Sequence, residues 1–176
     1  MQVPQPARIL VVANRTAATP GLLEEVRTRA RRGHASFHLV VPAMPRGLHR
    51  VVDPEVTGRL EAEQNLEAAL PKLRAASGVE VTGEVGDSNP NAAIADAMNV
   101  IGFDEIIVST LPARLSRWAR MDLVSHARGY EVPVTHVDPD AIDACFVPRA
   151  VGRRERRSDV GRIAANGRPT PSVAAR

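Results

Sequence analysis

Between Gly102 and Arg120 the chain reads GFDEIIVSTLPARLSRWAR, and its centre, Ile106-Ile107-Val108, is apolar and β-branched at three consecutive positions. A strand with one wet face would alternate. An unbroken apolar run implies burial on both faces, the situation of a parallel strand with helices above and below it. Asp104-Glu105 and Ser109-Thr110 bound the run. Pro112 then suits the first turn of a helix, where its missing N–H would have no partner anyway. In an open α/β sheet, ligands bind beyond the carboxyl ends of the strands, and helix N-termini offer free N–H groups to anions. The turn after Val108 is therefore the first place to look for a site.

The rest of the chain repeats the same alternation. Ile9-Leu10-Val11-Val12-Ala13 is a second unbroken apolar run, ending at Asn14-Arg15-Thr16. Thr19-Pro20 reads as an N-cap with proline at the first helical position, and Leu22, Leu23, Val26 and Ala30 follow at helical spacing up to Gly33. Phe37-His38-Leu39-Val40-Val41 is the next strand, with His38 read as an ordinary strand-face residue, and Pro42 to Arg50 is a loop. Asp53-Pro54 repeats the cap and proline before a helix reaching Ala76, with Leu60, Leu66, Leu70 and Leu73 expected to be buried and Pro71 expected to bend or interrupt it. Val79 to Val85 alternates, as an edge strand would. Gly86-Asp87-Ser88-Asn89-Pro90-Asn91 is a turn and cap leading into a helix over 92–101, with Ile94, Ala97, Met98 and Ile101 as its apolar stripe. Val132 to Val137 is the fifth strand, closed by Asp138-Pro139-Asp140.

Five strands alternating with helices specify an α/β domain: a single doubly wound five-stranded parallel sheet, order 3-2-1-4-5, with right-handed crossovers and helices on both faces. The expected division is an extension over residues 1–6, the domain over 7–148, and a basic tail over 149–176. That tail holds eight Arg against Glu155 and Asp159, a net charge of +6, so the overall +3 leaves −3 for the remainder. With its Gly, Pro, Ser and Ala content and little apolar surface, the tail is expected to be disordered. It could attract nucleic acid or another anionic surface by charge alone, without sequence preference.

Composition removes several function classes. Cys145 is the only cysteine, so no internal disulfide forms, and no Cys/His cluster has metal-ligand spacing. Aromatic residues are 3% of the chain, too few for the stacking platforms of single-stranded nucleic-acid binders. No run approaches the ~20 apolar residues of a membrane span, and MQVPQPAR has no apolar signal core, so the expected location is the cytoplasm. No G-x-S-x-G elbow, HExxH or Walker loop is present. Asp87 and Asp96 read as turn and helix-surface carboxylates, and an enzyme is the weaker reading.

The order of elements, ILVVAN and GEVGDSNPNAAIADAMNVIGFDEIIVST resemble the universal stress protein family of the adenine-nucleotide-binding α/β group, over roughly residues 7–138. The resemblance implies stress-response or regulatory work, ATP or AMP as ligand, and a homodimer paired through the fifth strand. ATP-binding members carry Gly, two residues, Gly, nine residues, then Gly and Ser or Thr after strand four. Those positions here are Ser109, Pro112, Asp122 and Leu123, so all three glycines are absent; Asn14 stands where the family has Asp. Weak ATP or AMP binding is the resulting expectation, with no cofactor certain. The site expected between strands one and four is lined by Asn14, Arg15, Thr16, Val41, Ser109, Thr110, Arg114, Ser116 and Arg117. Arg114, Arg117 and Arg120 read either as cations around an anion or as the solvated face of a helix whose Leu115, Trp118 and Ala119 pack inward. Three functions follow: a non-catalytic domain binding a small anion or acting through protein contacts; an adenine-nucleotide-binding protein or hydrolase with a rebuilt loop; or binding of nucleic acid or a ribosome surface through the tail.

Overall fold

The structure, a computed structural model, describes residues 5–44, 54–111 and 123–138. The elements in chain order are β1 (Ala7–Val12), α1 (Pro20–Arg31), β2 (Ala35–Pro42), α2 (Pro54–Ser77), β3 (Val81–Gly86), α3 (Pro90–Val100), β4 (Glu105–Ser109), α4 (Leu123–Arg128) and β5 (Val134–Val137). The strands form one sheet in the order β3-β2-β1-β4-β5, and every neighbouring pair is parallel. This is the doubly wound topology expected from the alternation.

The unbroken apolar runs serve both faces of the sheet at once. Ile9, Val11, Leu39 and Ile107 point toward α1 and α2, where Leu22, Val26, Ala62, Ala69 and Leu73 cover them. Leu10, Val12, Val40, Ile106 and Val108 point the other way, toward Ala93, Ile94 and Ala97 of α3 and Leu123 and Ala127 of α4. β1 is central, and Ile9 to Val12 are fully buried. Each such side chain contributes about 1.5–3 kcal/mol by leaving water, so these short runs hold the sandwich together.

Several expectations need correction. Leu60 is 54% exposed; the buried line of α2 runs instead through Ala62, Ala69 and Leu73, with Leu66 and Leu70 partly buried. Leu60 stands two residues from Ala62, about 200° around the helix at 3.6 residues per turn, and so faces away from this line. α2 also runs uninterrupted through Pro71. Proline there removes the bond to the Glu67 carbonyl, but both residues are exposed, so water can satisfy that carbonyl. Ile101 is 38% exposed and lies past the end of α3, whose buried side is Ala93, Ile94 and Ala97. β3 begins at Val81, not Val79, and β5 at Val134, not Val132.

Thr19 is the N-cap residue of α1, with Pro20 first in the helix, but its side chain makes no cap bond. Its hydroxyl donates instead to the Thr16 carbonyl at 2.9 Å. Asn89 does cap α3, accepting from the Asn91 N–H at 3.0 Å. His38 is a strand-face residue, 2.8 Å from the Thr82 hydroxyl and stacked on Phe103. Arg114, Ser116, Arg117, Trp118, Cys145 and the tail over 149–176 lie outside the described residues, as does the helix expected after Pro112.

Candidate functional site

The sheet order places the carboxyl ends of β1 and β4 side by side, in a register that pairs Val12 with Val108. The β1–α1 turn lies across this end. Its backbone is closed by bonds from Ala17 N to Asn14 O at 3.0 Å and from Thr19 N to Thr16 O at 3.1 Å. Such a turn follows from Asn-Arg-Thr after an apolar run, since short polar residues readily leave extended structure.

Of the six expected site residues that the structure describes, Thr16 and Ser109 are joined directly: the Thr16 hydroxyl donates to the Ser109 carbonyl at 2.9 Å, and both are buried, as is Thr110. Asn14 instead faces β2 and α2. Its Nδ2 donates to the Pro42 carbonyl at 2.7 Å, and its Oδ1 accepts from Asn65 Nδ2 at 2.8 Å. An aspartate has no donor for Pro42, so asparagine at this position fastens the ends of β1 and β2 together. Val41 is fully buried in the core beneath α1 and α2, and Arg15 is exposed.

Two neighbours were not anticipated. His136 Nε2 lies 2.8 Å from the Thr110 hydroxyl, a contact implied by placing β5 next to β4, because residues at the same end of adjacent parallel strands meet. Asn65 carries no such signal: it is one polar residue within α2, 51 positions from Asn14. Ser109 Oγ is buried and has no hydrogen-bond partner among the described residues. Leu123, at the last position of the glycine pattern, packs into the core under α4.

Chemically this end of the sheet offers hydroxyls, amides, one imidazole and the Arg15 cation. Among the described residues, no group of His, Cys, Asp and Glu is placed to hold a metal ion, and no helix is long and apolar enough to cross a membrane. The assembled groups can hydrogen-bond to a polar ligand or help to neutralise an anion.

No protein-family model matches the sequence, and no curated protein matches it. Solved structures do. The universal stress protein of Archaeoglobus fulgidus in complex with dAMP aligns with a TM-score of 0.51 at 18% identity, covering 76% of this chain and 98% of that one. A universal stress protein family member from Arabidopsis thaliana with AMP bound aligns with a TM-score of 0.53 at 16% identity, covering 78% and 95%. Universal stress protein UspA from Lactobacillus plantarum gives 0.53 at 16% identity, covering 77% and 99%. These neighbours are matched almost from end to end, and the fold of this chain is that of the universal stress proteins.

Proposed function

We propose that this domain is a non-catalytic, cytoplasmic regulatory protein of the universal stress type that binds an adenine nucleotide weakly at the carboxyl ends of β1 and β4. The observation that carries the reading is the fold: structures that share it, with dAMP and with AMP bound, match over nearly their whole length. The polar groups of Ser109, Thr110 and His136 at that end support it. Arg114, Ser116 and Arg117, in the sequence that follows β4, complete the proposed lining and supply its cations.

Calorimetric titration with AMP, cyclic AMP and ATP tests this. Binding of AMP is expected, with ATP no tighter, because the glycine backbone that would wrap its phosphates is absent. Each lost backbone donor to a charged group costs about 1.5–3 kcal/mol, so two losses weaken ATP by roughly a hundredfold or more. Sub-micromolar ATP binding would overturn the weak-binding reading. Nucleotide binding that survives alanine at both Arg114 and Arg117 would move the site elsewhere, and release of phosphate would make the domain an enzyme.

The same reading includes a homodimer through β5. Both β3 and β5 are edge strands, but β3 carries Glu84 while β5, Val-Thr-His-Val, holds no carboxylate, Lys or Arg. Charged residues are a usual guard against edge pairing, so β5 is the less protected edge. Light scattering at micromolar concentration should give twice the chain mass; a monomer removes this part of the proposal.

A further inference from the structure

We propose that the β1–α1 turn is a latch across the crevice, held shut by Thr16, and that a ligand reaches the Ser109 hydroxyl only when the turn opens. The inference deepens the nucleotide reading of the same site and rests on it for the choice of probe.

Three observations point to a latch. Thr16 and Ser109 are 2% and 0% exposed although they stand at the mouth of the topological crevice. They are joined by one side-chain bond, from the Thr16 hydroxyl to the Ser109 carbonyl, which spans 93 positions of sequence. The Ser109 Oγ, on the same residue, is buried and unpartnered among the described residues. By strand alternation Ser109 shares the face of Ile107, the side covered by α1. A buried hydroxyl without a partner is costly, and a ligand group that hydrogen-bonds to it would relieve that cost. The closed turn therefore keeps out the partner that Ser109 lacks.

The turn has a fixed end and a releasable one. On the β2 side, Asn14 is held twice, by Pro42 and by Asn65 of α2. On the β4 side, the Thr16 hydroxyl is its side-chain tie to the strand. The backbone bonds of Ala17 and Thr19 lie within the turn itself, to Asn14 and Thr16; because Asn14 stays fixed, swinging Thr16 off β4 breaks them, and these two amides report the opening. A ligand that binds only the open turn has its affinity reduced by the open fraction, and loosening the latch raises that fraction.

The test uses the full chain, with hydrogen exchange at Ala17 and Thr19 and calorimetric titration with AMP. Thr16→Val keeps the side-chain shape and removes the hydroxyl. It should speed exchange at both amides and tighten AMP, each about fivefold, the usual weight of one hydrogen bond. Thr16→Ser, which retains the hydroxyl, should behave as the natural chain. Ser109→Ala should leave exchange at the turn unchanged and weaken AMP. Unchanged exchange in Thr16→Val overturns the latch whether or not AMP binds. Faster exchange with unchanged or weaker AMP binding overturns the gating of the ligand and leaves the nucleotide reading standing. If none of these proteins binds AMP, the nucleotide reading fails, and the exchange rates alone decide whether Thr16 holds the turn.

Discussion

Replacing Gly83 with alanine should lower the stability of the domain by about 2 kcal/mol, and replacement with valine by more. A Cβ built on Gly83 lies 2.7 Å from the Leu39 carbonyl oxygen and 2.8 Å from Leu66 Cδ1. The Leu66 tip can rotate away, but the Leu39 carbonyl belongs to the backbone of β2, paired with β3 at this register. Overpacking of this kind costs about 1–3 kcal/mol, and alanine recovers part of it by restricting the unfolded chain. For a chain of this size the thermal midpoint should fall by about 4–8 °C. The strain falls on the pairing of β2 with β3, since the Leu66 tip of α2 yields by rotation and the Leu39 carbonyl does not. A melting curve for Gly83→Ala that overlays the natural one would show that the β2 backbone does not crowd this position as described.

The glycine also shows where sequence reasoning stopped. Within Val-Thr-Gly-Glu-Val the alternation identified an edge strand correctly, yet nothing in that pattern says that the Leu39 carbonyl of β2 would sit close enough to exclude a methyl group. The central strands were easier to read, because Ile9–Val12 and Ile106–Val108 must be buried on both faces, and only a parallel sheet between helix layers provides that. The helix stripes were read in part. Nothing in the sequence marks Ala62 and Ala69 as core positions, because alanine is a good helix former wherever it sits; only packing against the sheet separates these from Ala68 and Ala75, which are exposed.

The site was legible to a similar depth. Strand order alone brings Thr16 and Ser109 together at the end of β1 and β4. The partners of Asn14 were not legible, because a side-chain amide gives no sign in sequence of which distant carbonyl or amide will satisfy it. Asn14 was expected to line the crevice; in the structure its oxygen and nitrogen both bond to protein groups. That difference bears on mechanism, since a residue bound on both sides fixes the shape of the turn whether or not it ever touches a ligand.

The second large effect is expected at the opposite end of the sheet, where Arg29 of α1 meets Glu105 at the start of β4. Arg29 Nε donates to Glu105 Oε2 at 2.5 Å, and the two side chains are only 15% and 13% exposed. Arg29 also stands in the last turn of α1, where a cation favours the free carbonyls of the helix end. Removing one partner from a buried pair costs about 3–5 kcal/mol, because the remaining charge is left without water or a counter-ion. Partial exposure lets Glu105 recover some hydration, so Arg29→Leu should cost about 2–3 kcal/mol, read from the denaturant midpoint at unchanged slope. Replacing both residues with leucine should restore most of the loss, since the pair's attraction largely offsets the cost of dehydrating it. The exposed pair between Arg59 and Glu63, 3.2 Å apart on α2, should by comparison change stability by no more than about 0.5 kcal/mol. If Arg29→Leu proved as mild as Arg59→Leu, the pair would be solvated in solution and α1 would be held to the sheet by its apolar side chains alone.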